Sequence, residues 1–290
     1  FDYSSIINSM IFWIASYPKS GNTWLRALIS SYYFSKDGFF KKNIMENIDQ
    51  FPEKIHFSNF NYDLKDITGT TQFWIKAQER INLDKKVRFF KTHNIFGEIN
   101  KRPFTNRLNS IACIYIVRDP RNVITSLKNH YELSYNEAYE FITNEKKYIF
   151  DQHKVNDYSD FQFIGSWKTN FQSWKYQKEI PIKFIKYESL LDETYTTSLS
   201  IIEFINKILK NREGVDQKKL ENAVNSTSFD KLKREETIEG FSEAIISKQR
   251  DKKIPFFYLG PKNDWKKILN KKIQNQINEV FMKNLKELHY

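Results

Sequence analysis

The sequence has almost no cysteine and no long apolar segment, and both absences restrict the class of protein. Cys113 is the single cysteine in 290 residues, so no disulfide can form within the chain and a reducing compartment is expected. No apolar run approaches the ~20 residues of a membrane-spanning helix, so no membrane span is predicted. No signal peptide is recognisable, which favours the cytoplasm, and a start at Phe1 is compatible with a trimmed N-terminal segment.

The chain also lacks internal repeats, low-complexity linkers and abrupt changes in composition. A chain of this length suits one large α/β domain or two small ones. His, Cys, Asp and Glu residues do not cluster at the spacings of metal ligands, so no metal site is predicted.

Acidic residues are outnumbered, and the formal net charge is +11. Such a surplus attracts polyanions, which include nucleic acids, anionic membranes and charged nucleotides. The lysines are spread along the whole chain and do not form a basic stripe interleaved with aromatic residues, so a solvated surface and no nucleic-acid partner are expected. A non-catalytic nucleic-acid-binding protein is the alternative that the charge leaves open.

The first chemical signal is a strand, a tight loop and a helix near the N-terminus. The apolar run 11–16 predicts a buried strand, Pro18 interrupts it, and apolar residues over 24–32 recur at helical spacing. The intervening loop contains Lys19 and Gly21, and such loops direct backbone N–H groups and a helix N-terminus at phosphate. The loop is not a Walker A motif, because its lysine precedes its glycine.

Three more segments, at 87–91, 111–117 and 182–187, are predicted to be strands. Helical patterns alternate with them, which predicts an α/β fold with a central parallel β-sheet flanked by helices. Ligands of such sheets bind beyond the carboxyl ends of the strands. The polar residues that follow those ends are Lys19, His93, Arg118 and Tyr187.

Two other segments carry predictions. Apolar residues spaced three and four apart predict a helix that starts at Asp160 and continues through Trp174. Residues 36–72 are polar, aromatic and without periodicity, which is typical of a binding loop or of an irregular surface excursion.

The residue types at the shared sheet edge suggest two anion sites and a base. Arg118 can bind two phosphate oxygens with its fork, and Asp119 followed by proline starts a helix that carries Ser126. Together with the Lys19 loop, this favours a nucleotide with phosphates at two distant positions. His93 can accept a proton from a hydroxyl near neutral pH. A nucleotide-dependent kinase with a degenerate phosphate loop is the alternative enzyme.

The motifs resemble, in family order, those of the sulfotransferases that use 3′-phosphoadenosine-5′-phosphosulfate (PAPS), in particular the cytosolic type. Residues 16–24 resemble the 5′-phosphosulfate loop, residues 114–126 the 3′-phosphate motif, and Lys91-Thr92-His93 the motif that carries the catalytic base. The further matching motifs are the paired Trp167 and Trp174, Lys186-Tyr187-Glu188, Thr227-Ser228-Phe229 and Asp264-Trp265-Lys266.

This resemblance implies a single domain over residues 1–290 with a P-loop-NTPase-like sulfotransferase fold. It also implies metal-independent, in-line transfer of a sulfuryl group from PAPS to a hydroxyl or amine of a small-molecule acceptor, which leaves 3′-phosphoadenosine 5′-phosphate (PAP). The catalytic residues it implies are His93 as the base, Lys19, Lys91 and Ser126. The nucleotide-binding residues it implies are Lys19, Ser20, Gly21, Asn22, Thr23, Trp24, Arg118, Ser126, Tyr187, Phe229 and Gly260.

The sequence departs from the family pattern near its C-terminal end. Phe257-Tyr258-Leu259-Gly260 stands where many members have Phe-Arg-Lys-Gly, so two basic residues of the 3′-phosphate site are replaced. Lys262 is the nearest basic substitute in sequence. The sequence predicts neither the acceptor nor the oligomeric state.

Overall fold

Five parallel strands form the central sheet of the computed structural model, which describes residues 10–151, 156–241, 243–244, 247 and 253–290. The strands, in chain order, are β1 (Ile11–Ser16), β2 (Ile48–Gln50), β3 (Arg88–Thr92), β4 (Glu98–Ile99), β5 (Arg102–Pro103), β6 (Ser110–Val117), β7 (Tyr148–Ile149), β8 (Gln162–Phe163) and β9 (Ile182–Lys186). The central sheet has the order β2-β3-β1-β6-β9, and β4-β5 and β7-β8 are short antiparallel pairs. The predicted parallel α/β sheet is confirmed.

Burial on both faces explains why β1 lies at the centre of the sheet. All six of its residues are buried, as expected for a strand covered by helices on both sides. Its register with β3 pairs Ala15 with Thr92, and its register with β6 pairs Ser16 with Ile116. The carboxyl ends of three neighbouring strands therefore meet at one edge, immediately before Lys19, His93 and Arg118.

Helices cover both faces of this sheet. They are α1 (Asn22–Phe34), α2 (Trp74–Ile81), α3 (Pro120–His130), α4 (Tyr135–Thr143), α5 (Trp167–Tyr176), α6 (Tyr187–Asp192), α7 (Thr194–Ile208), α8 (Gln217–Ser226), α9 (Phe229–Glu239), α10 (Trp265–Ile268), α11 (Lys271–Val280) and α12 (Met282–Glu287). One apolar layer contains Trp13, Tyr115 and Trp174, and the opposite layer contains Phe12 and Leu28. Among the helices that the structure describes, none combines the length and the apolar character that crossing a bilayer demands.

The prediction that a helix starts at Asp160 is wrong for the first turns of that helix. Residues 162–163 instead form β8, and α5 begins at Trp167. Gly165 has a φ of 59°, in the left-handed region, and the Ser166 side chain accepts a hydrogen bond from the Thr169 N–H at 3.1 Å. This serine cap fixes the true start of the helix, because it satisfies an N–H group that has no partner within the helix.

The segment 36–72 is more structured than its sequence indicates. It contains the edge strand β2 and three short 3-10 turns, at Lys42–Asn47, Lys54–Phe57 and Gly69–Phe73. Strand β2 pairs with β3 through only three residues, too few for alternation to be recognised in the sequence.

Candidate active site

The loop after β1 places Lys19 at the sheet edge by using two left-handed residues. Lys19 has a φ of 65°, and Gly21, the N-cap residue of α1, has a φ of 101°. A non-glycine residue in this region carries backbone strain, which is common in functional loops. A Cβ atom on Gly21 would lie 2.5 Å from Cδ2 of Tyr187. Both the conformation and the close approach of this aromatic ring therefore require glycine.

The Lys19 ammonium is a buried cation. Its Nζ atom is shielded from solvent, lies 3.6 Å from the centre of the Phe256 ring, and has no hydrogen-bond partner in the described part of the chain. Burial lowers the pKa of Lys19 to about 7, and the Glu243 carboxylate only partly opposes this effect. An anionic group beside Nζ would supply the missing hydrogen bonds and restore the charge.

His93 is held by contacts that define its tautomer. Its Nδ1 atom lies 2.8 Å from the carbonyl oxygen of Ser16 and 3.2 Å from the Oγ atom of the same residue. A carbonyl oxygen only accepts, so Nδ1 carries the proton and Nε2 of the neutral ring keeps a free lone pair. Desolvation lowers the pKa of His93 to about 4, and nearby Lys91 acts in the same direction. The ring is therefore neutral at physiological pH.

The backbone of His93 is anchored to β8 on its N–H side and to α5 on its carbonyl side. Its N–H donates to the side chain of Gln162 at 2.7 Å, and its carbonyl oxygen accepts from the side chain of Asn170 at 2.8 Å. These contacts fix the position of the imidazole, which a proton acceptor in a reaction requires.

A cluster of charges beside His93 includes two residues that sequence reasoning missed. The Glu243 carboxylate accepts from Lys91 Nζ at 2.7 Å, from Thr23 Oγ1 at 3.0 Å and from the guanidinium of Arg26. Burial alone would raise the pKa of Glu243, but Lys91 and Arg26 hold it well below its usual range. Arg26 was detectable as a charged residue inside the apolar face of α1, whereas Glu243 carries no sequence signal.

A second group of donors surrounds Arg118. Its guanidinium lies 4.1 Å from the centre of the Tyr187 ring and donates to the Lys19 carbonyl oxygen at 3.3 Å. A longer contact of 3.5 Å joins it to Ser126 Oγ, which also accepts from the Asn263 side chain at 3.1 Å. The Arg118 Nε atom is buried, with no partner among the described residues. Arg118 thus links the two predicted anion sites, and Asn263 is a neighbour that the sequence did not predict.

Aromatic rings line the side of the cavity between these anion sites. The rings of Trp24 and Tyr187 meet edge to face, with centroids 5.7 Å apart. Phe229 packs so closely on Gly260 that a Cβ there would lie 2.3 Å from the ring. Tyr258, in the departure from the family pattern, is 50% exposed, and Lys262 is exposed at the end of a 3-10 turn. Aromatic rings such as those of Trp24 and Phe229, which both line the cavity, can stack on a planar group.

Lys19, Lys91, His93, Arg118 and Glu243 all line one cavity of about 1430 Å³. Of the residues predicted for catalysis or nucleotide binding, every one except Ser20 lines it. Ser20 is a fully buried residue of the loop between β1 and α1. Asn22 lines the cavity, but its side-chain amide donates to the Ile14 carbonyl oxygen and to Ser16 Oγ, so it supports the end of β1.

The remaining lining of the cavity is partly aromatic and partly acidic. The aromatic residues come from 131–150, namely Tyr131, Phe141, Tyr148 and Phe150, and the aliphatic Leu133 and Ile149 lie among them. The 36–72 segment contributes mostly polar side chains, namely Lys42, Met45, Glu46, Asp49, Gln50 and Glu53. The aromatic residues Phe57 and Trp74 belong instead to the buried core.

Comparison with known proteins gives a consistent result. A family model described as "Sulfotransferase domain" matches residues 11–289. Sulfotransferase 1B1 of Mus musculus is 23% identical over 273 residues, which cover 94% of this chain and 81% of that protein. Cytosolic sulfotransferase 13 of Arabidopsis thaliana is 22% identical over 276 residues, which cover 94% of this chain and 76% of that protein.

Solved structures show the same fold. The crystal structure of retinol dehydratase in a complex with retinol and PAP superimposes with a TM-score of 0.58 at 16% sequence identity. The superposition covers 95% of this chain and 81% of that one. The predicted fold is therefore shared with an enzyme of known structure over almost the whole chain.

Proposed function

The chain belongs to the sulfotransferase family, and on that premise we propose that it transfers a sulfuryl group from PAPS to a hydroxyl or amine of a small-molecule acceptor. The observation that carries the proposal is the 2.8 Å contact between His93 Nδ1 and the Ser16 carbonyl oxygen, which leaves Nε2 as the base in the same cavity as Lys19. A neutral base can accept the proton of the acceptor, and a cation without a partner can stabilise negative charge on the leaving group.

Unsatisfied donors in the cavity lining and in the adjoining loop fit an anionic nucleotide. Lys19 Nζ, Ser20 Oγ, Trp24 Nε1 and Arg118 Nε are buried, and none has a hydrogen-bond partner in the described part of the chain. All four donate hydrogen bonds, whereas phosphate and sulfate oxygens accept them. A nucleotide with anionic groups at two positions would match this set.

Different residues would bind different parts of the nucleotide. We assign the 5′-phosphosulfate to Lys19, Thr23 and the N–H groups of residues 20–24, and the 3′-phosphate to Arg118 and Ser126. Trp24, Tyr187, Phe229 and Gly260 would contact the adenine. Asn263 holds Ser126 in place through a hydrogen bond at 3.1 Å.

The chemistry follows from the charges. PAPS supplies a sulfuryl group on a phosphate leaving group. His93 Nε2 takes the proton of the acceptor hydroxyl or amine as the new bond to sulfur forms. Lys19 stabilises the negative charge that develops on the departing phosphate as its bond to sulfur breaks. Lys91 orients the sulfuryl oxygens. The products are the sulfated acceptor and PAP, with the proton held on His93.

The proposal also includes the domain organisation of the chain and its cellular compartment. We assign residues 1–290 to a single sulfotransferase domain, in line with the family match over 11–289. A cytoplasmic location is supported by the cytosolic relative from Arabidopsis thaliana.

Incubation of the protein with PAPS labelled in its sulfuryl group and a panel of phenols, alcohols and amines tests the proposal. We expect label on at least one acceptor, together with formation of PAP. The alternatives predict different results, because a kinase transfers phosphate from ATP with magnesium and a nucleic-acid binder loses affinity steeply with salt. Phosphate transfer from ATP, or salt-sensitive binding of nucleic acid, would argue against the proposal if no label were transferred from PAPS.

A further inference from the structure

The Glu243 carboxylate is an anion placed among the donors of the phosphosulfate site. One oxygen, Oε1, lies 2.7 Å from Lys91 Nζ and also accepts from Arg26 Nη1. The other, Oε2, accepts from Thr23 Oγ1 at 3.0 Å. Thr23 and Lys91 are residues that the proposed function assigns to the donor nucleotide, and the present inference rests on that assignment.

The charges in this cluster cannot accommodate a second anion without rearrangement. Lys91 is buried, and Arg26 is 7% exposed, so their mutual repulsion is poorly screened. Glu243 neutralises part of that charge, and its own pKa is held well below the usual range, so the carboxylate is ionised at neutral pH. A sulfate or phosphate group at the same donors would repel it strongly.

Arg26 is fixed independently of Glu243. Its Nη2 atom donates to the carbonyl oxygen of Ile48, the first residue of β2, at 2.9 Å. The guanidinium would therefore stay at the site if the carboxylate left, and a buried cation without a partner is unfavourable. An incoming anionic oxygen at the position of Oε1 would give Nη1 a partner again.

We propose that Glu243 is an internal competitor for the donor nucleotide and that Arg26 is a third cation of the phosphosulfate site. PAPS or PAP displaces the carboxylate, after which Arg26 and Lys91 bind the anionic oxygens of the nucleotide. The exchange keeps the two cations neutralised both before and after binding.

The competition weakens nucleotide binding by a measurable factor. If the Glu243-bound form makes up about 90–99% of the unliganded protein, the apparent dissociation constant of the nucleotide is raised about 10- to 100-fold. Glu243→Gln keeps the shape of the side chain and removes its charge. Glu239→Gln is the matched control, because it removes an equal charge from an exposed glutamate of α9.

Calorimetric titration with PAP tests the exchange. We expect Glu243→Gln to bind PAP at least tenfold more tightly than the wild type, and Glu239→Gln to bind it with nearly unchanged affinity. Equal or weaker binding by Glu243→Gln would overturn the competitor role. Wild-type protein that fails to bind PAP at all would instead refute the proposed function, so the two failures are distinguishable.

A second pair of variants tests Arg26, and a separate variant covers a folding failure of Glu243→Gln. In the Glu243→Gln background, Arg26→Met should weaken PAP binding about tenfold, whereas Arg26→Lys should retain most of the affinity. If Arg26→Met leaves the affinity for PAP unchanged in this background, the role of Arg26 is overturned. Glu243→Ala, whose folding is checked by circular dichroism and thermal melting, repeats the competitor test if the glutamine variant does not fold.

Discussion

The Nδ1 atom of His93 lies 2.8 Å from the carbonyl oxygen of Ser16, the last residue of the central strand. This contact joins the end of β3 to the end of β1 and decides which nitrogen of the ring is free. Because the carbonyl oxygen can only accept, the free nitrogen is Nε2, and a neutral imidazole with a free Nε2 is a competent base. The sheet register therefore contributes directly to the proposed chemistry.

The first prediction concerns His93→Ala. We expect the rate of sulfuryl transfer to fall by about 10²- to 10⁴-fold, the usual contribution of a general base, while PAP binds with nearly unchanged affinity. Turnover with labelled PAPS and calorimetry with PAP measure the two quantities. The control is His289→Asn, at an exposed position with a φ of 54° that asparagine tolerates. A His93→Ala enzyme with normal turnover would remove His93 from the mechanism.

A second prediction follows from the pKa of Lys19. Burial lowers this pKa to about 7, and a bound anion raises it, so nucleotide binding at pH 8 should take up close to one proton. The affinity for PAP should accordingly decrease as the pH rises above about 7. Titrations in buffers of different ionisation enthalpy measure the proton uptake.

Lys19→Met provides the comparison for that titration. We expect the variant to show little proton uptake and to transfer sulfuryl groups about a hundredfold more slowly or worse, since it lacks the cation at the leaving phosphate. Proton uptake equal to that of the wild type would assign the titration to another group. An unchanged rate would leave the loop with a structural role alone.

The third prediction separates the two anion sites. Arg118→Met should weaken PAP binding by about 10- to 100-fold, because hydrogen bonds to charged groups contribute about 1.5–3 kcal/mol. Adenosine 5′-phosphosulfate lacks the 3′-phosphate, so its affinity should be nearly the same for the variant and the wild type. Equal losses for both nucleotides would place Arg118 at the 5′ end instead.

Gly21 allows a fourth prediction with an internal control. Gly21→Ala should lower the free energy of unfolding by about 1–3 kcal/mol, because the new Cβ meets the Tyr187 ring and alanine disfavours a φ of 101°. Gly214→Ala shares the backbone strain, with a φ of 78°, but has no atom within 4 Å of the new Cβ. Denaturant titration of both variants isolates the contact with Tyr187, and equal losses would contradict its importance.

Much of the site could be predicted because its residues follow strands that are easy to recognise. Lys19, His93 and Arg118 each come after a buried apolar run, and parallel strands bring such positions to one edge. Family membership confirms the resemblance on which their roles were first based. The contacts of Asn22 and the position of Ser20 were not predictable, because they depend on side-chain directions within a tight loop.

The failures of sequence reasoning have identifiable physical causes. The pattern around Ile164 has helical spacing, yet Gly165 and the Ser166 cap end the preceding segment before α5 starts. The partners Arg26 and Glu243 are 217 positions apart in sequence, so only the folded chain reveals their contact. Local periodicity contains no information about such pairs.

The central claim is that this cavity is a site for PAPS and its product PAP, and not for a nucleoside triphosphate with magnesium. Parallel calorimetric titrations of the wild-type protein with PAP, and with ATP in the presence of magnesium, test it without knowledge of the acceptor. The account predicts stoichiometric binding of PAP and binding of ATP that is weaker by at least tenfold. Tighter binding of ATP with magnesium than of PAP would contradict it.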